Sequence, residues 1–275
     1  MMDNKSSLNS IPSDIDDIKI WQLYILWKQK RITVVFFNCQ TKETFTYLNY
    51  QSEYQETITL NKVQNLIYEN PLILNDYKTT ILIESNQFTL VPSEFVRNEE
   101  SAYDMMECIY RMENSDVWVN SIDNETILFN TSEGIQSFIY RTFPTAKVLF
   151  QSTPLISYFK ESETNDKRNS MIVNIDETRM EIIAISNNNT IFTNIFSFKE
   201  TSDIIYFILN VWNMLGFDQE NDELKIYGSK EIRNQVMPSL RKFINYVMLP
   251  ILPHSTNGNQ EMDISLQISI HLNNK

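Results

Sequence analysis

Residues 171–198 read MIVNIDETRMEIIAISNNNTIFTNIFSF. Three runs rich in β-branched and aromatic residues, Met171–Ile175, Met180–Ser186 and Thr190–Phe198, are separated by short polar turns at Asp176-Glu177-Thr178 and Asn187-Asn188-Asn189. That composition predicts three consecutive strands joined by tight turns. Thr201 or Ser202 then caps a helix running to Leu215, and Gly216 stands where a helix end favours a left-handed residue. A strand at Glu223–Tyr227, a helix over about Glu231–Phe243 and a strand at Tyr246–Leu249 follow. The order is strand-strand-strand-helix-strand-helix-strand.

The same order opens the chain. Strands are expected over Lys19–Trp27, Ile32–Cys39 and Thr44–Tyr50, then a helix with Leu60, Val63, Leu66 and Ile67 on one face, stopping before Pro71. Strands at Thr79–Glu84 and Gln87–Val91 flank a turn at Ser85-Asn86, and Ser101 is expected to cap a helix with Ala102, Met105, Met106, Ile109 and Met112 on one face. Strands near Val117–Ser121 and Thr126–Asn130 precede a helix over Ser132–Arg141. A strand at Lys147–Gln151 then leads to a helix begun by Ser152-Thr153-Pro154, where proline suits the first turn. Glu161–Asn169 (ESETNDKRN) is wholly polar and reads as a linker. The expectation is a duplicated α/β protein, with halves at 15–160 and 170–275 and a linker at 161–169. In the tail, Met262, Ile264, Leu266, Ile268, Ile270 and Leu272 alternate with polar residues. That pattern predicts a half-buried strand over 262–272, an edge that could recruit a partner or make a homodimer.

Bulk composition narrows the function classes. With 23 basic and 35 acidic residues among 275, the net charge is 23 − 35 = −12, which disfavours nucleic acid and anionic membranes as partners. Two cysteines, Cys39 and Cys108, far apart in sequence, give no disulfide framework. Met1–Ser13 carries no apolar core of a signal peptide, and no run of apolar residues is long enough to span a bilayer, so a cytoplasmic protein is expected. Glycine is the scarcest signal: four residues is roughly a fifth of the usual frequency of about 7%. With Gly134, Gly216, Gly228 and Gly258 isolated, no glycine-rich phosphate loop can be written. His254 and His271 are the only histidines and neither lies near a nucleophile motif, which leaves no catalytic triad. No Cys/His spacing suits zinc. A ribonuclease-H-type nuclease needs carboxylates on its first strand, and Trp21–Trp27 has none.

The duplicated order resembles the actin, Hsp70 and sugar-kinase superfamily, built on two ribonuclease-H-like halves, each a mixed sheet flanked by helices. More narrowly, Phe88-Thr89-Leu90-Val91-Pro92-Ser93-Glu94-Phe95 and Gln151-Ser152-Thr153-Pro154-Leu155 resemble an uncharacterised family of Bacteroidetes bacteria, over roughly residues 18–272. That family is in turn similar to the actin-like fold, including cytoplasmic components of type IV pilus and type II secretion machines. The resemblance implies two phosphate-binding turns, each with an Asp-x-Gly core, joining the first two strands of each half. The first turn here is Trp27-Lys28-Gln29-Lys30-Arg31, with neither residue. The second, Asn174-Ile175-Asp176-Glu177-Thr178, keeps Asp176 and has Thr178 in place of glycine. Lys225-Ile226-Tyr227-Gly228-Ser229 resembles half of the paired-glycine turn that accepts adenosine.

Each sharp reading has a bland counterpart. Asp176 is either a surviving metal-site carboxylate or an ordinary β-turn aspartate. The Lys28/Lys30/Arg31 cluster either grips an anion or is a solvated hairpin tip. Gly228 either faces a ligand or relieves the backbone at a strand-helix junction. His271 reads as a solvent-exposed residue of the tail's polar face. The helix Ile204–Leu215 is apolar nearly all round, so it is either covered on both sides or offers a partner groove. The resulting expectation is a non-catalytic, pseudo-ATPase scaffold with no cofactor, acting on an unknown protein partner. The alternative is a divergent ATPase or phosphotransfer enzyme binding Mg-ATP in an interdomain cleft with Asp176, Thr178, Gly228 and Ser229.

Overall fold

In the computed structural model, residues 11–52, 56–162, 168–249 and 262–275 are described. They form two compact units, one of the described residues up to Leu155 together with 262–275, the other from Ile156 to 249. Among them no helix is long and apolar enough to cross a membrane.

In the first unit, strands β1 (Trp21–Trp27), β2 (Arg31–Asn38) and β3 (Thr44–Gln51) make an antiparallel meander. Helix α1 (Leu60–Tyr68) returns the chain so that β4 (Lys78–Ile83) lies parallel to β1. Thr59 caps α1, accepting from the Lys62 N–H at 3.4 Å, and Val63, Leu66 and Ile67 form its buried face. The chain then leaves this sheet. Strands β5 (Phe88–Pro92), β6 (Ser115–Ile122) and β7 (Glu125–Ser132) form a separate antiparallel sheet in the order β5-β7-β6. Helix α2 (Glu99–Glu107) packs on it through Ala102 and Met106, with Met112 and Leu128 in the same core. The cap of α2 is Asn98. Ser101, the expected cap, is instead its reciprocal partner one turn in, and Ile109, expected on the buried face, lies beyond the helix and is exposed. Helix α3 (Ile135–Thr142) starts at Gly134, which has no side chain to cap it; Asp116 on β6 supplies the acceptor for the Gln136 N–H at 2.8 Å. Strand β8 (Lys147–Phe150) rejoins the first sheet beside β4, giving β3-β2-β1-β4-β8. Asn120 on β6 ties the two sheets together. Its Oδ1 accepts from the Phe150 N–H and the Thr153 hydroxyl, and its Nδ2 donates to the Val148 carbonyl.

Helix α4 (Thr153–Ser162) follows, and the division between units falls within it. Of the expected linker, 163–167 lie outside the described residues. The second unit holds strands β9 (Ser170–Ile175), β10 (Arg179–Ser186) and β11 (Asn189–Ser197), helix α5 (Thr201–Met214), strand β12 (Glu223–Tyr227), helix α6 (Lys230–Leu240) and strand β13 (Tyr246–Met248). Its sheet order, β11-β10-β9-β12-β13, is position for position that of the first sheet. Even the irregularities correspond: β3 and β11 each carry one extra residue, Tyr47 and Ile191, opposite a bulge in register. One face of this sheet buries Met171, Val173, Ile182, Leu224 and Ile226 against Ile208 and Trp212 of α5 and Val236 and Leu240 of α6.

Two expectations are corrected. The helix α5 is not covered on both sides: Ile204, Ile208, Val211 and Trp212 are buried, whereas Tyr206 is 63% and Met214 60% exposed. The tail is not a strand. Residues Ile264–Asn273 form helix α7, which packs on β1 with the first unit, although it was expected to finish the second half as an edge strand. Alternation misleads here because successive apolar residues two apart advance about 200° around a helix and so fall on two opposite sides of it. Such a helix is stable where it is enclosed, with Ser265 and Ser269 as small residues at close-packed points; Ile264, Leu266, Ile268 and Ile270 are all buried too. Leu266 and Ile270 pack on Tyr24, Leu26, Val35, Phe37 and Leu82. A homodimer through a 262–272 strand therefore has no strand to act through.

The far end of α7 is fixed by amides. Asn273 Nδ2 donates to Thr80 Oγ1 at 3.2 Å, and Asn274 Nδ2 donates to the Tyr24 hydroxyl at 3.2 Å. The Tyr24 hydroxyl itself donates to Gln22 Oε1 at 2.7 Å. Burial pushes the Tyr24 phenol up to about 12, against the opposing pull of the Asn273 and Asn274 hydrogen bonds. Because the folded phenol holds its proton longer than the unfolded one, its contribution is complete below about pH 10 and is lost as pH rises towards about 12, a drop of about 2–3 kcal/mol. Urea unfolding across that window is expected to show a shallower alkaline loss in Tyr24→Phe than in the wild type.

Candidate functional site

The two hairpin turns at the C-terminal ends of β1 and β9 are where the sequence placed degenerate phosphate-binding loops. In the first, the Lys28 N–H closes the turn on the Arg31 carbonyl at 2.8 Å. The next amide, Gln29 N–H, donates to the side-chain carboxylate of Glu84 at 2.7 Å. Glu84 directly follows β4, and its own N–H reaches the Trp27 carbonyl at 2.9 Å, which fixes it beside the turn. The Gln29 carbonyl is taken by the Ile58 N–H at 2.7 Å and that of Lys30 by the Ser52 N–H at 2.8 Å. A backbone N–H at this turn thus faces a carboxylate of the same chain.

Two of the three basic residues of this turn are also matched from within. Lys28 Nζ lies 2.6 Å from Asp263 Oδ2, with side-chain exposures of 11% and 10%, and Arg31 Nη2 lies 3.5 Å from the same oxygen. Asp263 is at the same time the N-cap of α7, its Oδ1 accepting from the Ser265 N–H at 3.0 Å. Lys28 is therefore not part of a solvated hairpin tip. It clamps the start of the last helix, and the carboxylate there serves both the helix amides and the lysine.

The second turn is built alike. The Asp176 N–H closes on the Arg179 carbonyl at 2.8 Å, and Asp176 Oδ1 accepts from the Glu177 N–H at 2.9 Å. Thr178 is exposed, and its carbonyl accepts from the Phe198 N–H at 3.0 Å. Across the sheet, Tyr227 of β12 stands opposite Asn174 of the parallel strand β9, so Asp176–Thr178 and Gly228–Ser229 leave the same end of that pair. The four candidate residues are thus gathered at one edge of the second unit. Gly228 has φ +137°, and a Cβ there would lie 3.0 Å from the Ile175 carbonyl oxygen and 3.1 Å from Ile175 Cβ. Ser229 is the N-cap of α6, accepting from the Ile232 N–H at 3.3 Å. Both junction residues thus have local structural duties, the glycine in packing and the serine in capping.

Glu84 and Asp263 were not among the residues singled out from the sequence. Their partners lie 55 and 235 positions away respectively, and no local pattern encodes such a pairing. One legible signal existed: Asp263 stands before a run with Ser265 two residues on, a helix N-cap arrangement masked by the stronger alternation. His254 and Gly258 lie outside the described residues, and His271 is half-buried in the last turn of α7, not on an exposed strand face. Among the described residues no group of three or more His, Cys, Asp or Glu side chains could hold a metal ion.

The model of a family described as protein of unknown function (DUF3822) matches residues 12–247 of the chain. No curated protein matches it. Among solved structures it is similar to a Bacteroides thetaiotaomicron protein with an actin-like ATPase fold and unknown function. Identity is 24%, with 95% of this chain and 99% of that one covered, and the TM-score is 0.79. A type IV pilus biogenesis complex, PilM–PilN, aligns at 8% identity over 84% of this chain and 88% of that one, with a TM-score of 0.54. These likenesses, with the two equal sheet orders, make the fold that of the actin-like ATPases, as the sequence led us to expect.

Proposed function

The chain belongs to the family of proteins of unknown function DUF3822, and we propose that it serves as a non-catalytic actin-like scaffold, a pseudo-ATPase whose work is to hold another protein. The observation that carries this reading is the Glu84 carboxylate accepting the Gln29 N–H at 2.7 Å. A phosphate brought to that turn would meet a fixed negative charge and would have to displace it. Two of the turn's three cations, Lys28 and Arg31, are directed at Asp263. On the second unit Asp176 caps its own turn and Gly228 packs against Ile175. The residues present do not fit a magnesium-bound triphosphate.

Thermal melting of the full chain with and without millimolar Mg-ATP tests this. A ligand at about a hundred times its dissociation constant adds about 2.7 kcal/mol to stability, an upward shift easily resolved in a melt. No shift is expected. A rise that disappears in Asp176→Ala would establish the alternative, a nucleotide-binding enzyme using Asp176, Thr178, Gly228 and Ser229.

A further inference from the structure

Strand β11 is the outer edge of the second sheet, pairing with β10 on one side; among the described residues no strand pairs with the other. Its nine residues, NTIFTNIFS, contain no charged side chain and no proline, the devices that commonly blunt an edge. The Ile195 N–H is accepted by the side chain of its neighbour Asn194 at 2.9 Å, which shows that this amide is not engaged by β10. An exposed asparagine is a displaceable placeholder for an incoming carbonyl. The edge runs into a cavity of about 370 Å³ lined by Ser197, Phe198, Lys199, Asp203, Tyr206 and Phe207. Aromatic rings continue from it along the strand: Phe207 stacks on Phe196 at 4.8 Å and Phe196 on Phe192 at 6.4 Å.

We propose that this edge takes an extended peptide of a basic partner protein as an added strand, with an arginine side chain seated in the Phe198–Asp203–Tyr206–Phe207 cavity. The chemistry selects the occupant. Three rings and a carboxylate lining one cavity suit a planar cation that can stack and hydrogen-bond at once, which guanidinium does better than ammonium. The Lys199 and Glu200 backbone N–H groups, donating to Asp203 at 2.9 and 3.1 Å, hold its carboxyl below the usual carboxylate range, so it stays ionised. Lys199 also lines the cavity, on an exposed side chain, so stacking on the rings and not charge alone must favour the guanidinium. At longer range the net charge of −12 draws a basic partner and repels a second copy of this chain, which sets the peptide above a dimer through the same edge. The unpaired strand supplies main-chain hydrogen bonds and the cavity supplies sequence preference, the division of labour in strand addition.

This gives a partner class to the scaffold proposed above and rests on that reading for its role as a protein-binding module. The test is selection of phage-displayed peptides on the full chain, with binding of the winners measured by fluorescence anisotropy. We expect β-branched sequences with one recurrent arginine, and at least a tenfold loss of affinity in Tyr206→Ala and in Asn194→Lys. Both positions are exposed, so unchanged melting temperatures separate lost binding from lost folding. Selection of no sequence, or of sequences indifferent to both variants, overturns the proposal. So does a wild-type dimer in light scattering that Asn194→Lys turns into a monomer, since a second copy would then occupy the edge. Mg-ATP stabilisation alongside intact peptide binding would remove the pseudo-ATPase reading alone, and lost peptide binding without a nucleotide effect would remove this one alone.

Discussion

Asp263→Ala is expected to lower the unfolding free energy by about 3–5 kcal/mol, the range for stripping one partner from a largely buried ion pair. Lys28, at 11% side-chain exposure, would lose the carboxylate 2.6 Å from its Nζ, and Arg31, further away and more exposed, carries the same charge and cannot replace it. Loss of the N-cap of α7 accounts for about 1 kcal/mol of that total. The two contributions separate experimentally. Asp263→Asn keeps an acceptor for the Ser265 N–H and removes only the charge, so it should lose about 2–4 kcal/mol. Adding Lys28→Met to Asp263→Asn should restore most of the loss, because it removes the buried ammonium together with the carboxylate that faces it. Urea denaturation of the wild type, Asp263→Asn, Lys28→Met and the double variant gives the cycle. If Asp263→Ala costs less than about 1 kcal/mol, the pair behaves as an ordinary surface contact and the clamp on the last helix is wrong.

That clamp also marks the limit of what the sequence could convey. The strands were legible because Trp21–Trp27, Ile182–Ile185 and their neighbours are dense in β-branched and aromatic residues and end at polar turns, a signal contained within ten residues. The matching sheet orders followed from the repeated succession of elements. The excursion into the separate β5-β7-β6 sheet did not, since Gln87–Val91 after Ser85-Asn86 reads like the second arm of a hairpin with β4 and in fact pairs with β7. The tail failed for a physical reason: a helix buried on two opposite sides keeps only a narrow polar stripe, here Gln267 and His271, so the single apolar face that identifies a surface helix is absent. At the candidate site, the missing glycines could be read directly. The residues that fill the turn instead, Glu84 and Asp263, become visible only once the chain has folded them against Gln29 and Lys28.

The last expectation concerns Gly228, one of the four residues on which the nucleotide-binding alternative leans. Gly228→Ala should cost about 2–4 kcal/mol, combining a backbone strain of about 1–3 kcal/mol at φ +137° with a Cβ forced to 3.0 Å from the Ile175 carbonyl oxygen. A flexible side chain could swing aside, but the nearest atom is a backbone carbonyl of Ile175, the last residue of β9. Gly216 is the internal control. It has φ +67° with nothing within 4 Å of a built Cβ, so Gly216→Ala should lose only about 1 kcal/mol from the left-handed backbone. A large difference between the two assigns Gly228 to packing of β12 against β9, a duty it would have with or without a ligand. The decisive comparison adds Mg-ATP. If Gly228 served only to admit a nucleotide, Gly228→Ala would match Gly216→Ala in buffer and diverge from the wild type when nucleotide is present. If it serves the sheet, the full loss appears in buffer and nucleotide changes nothing.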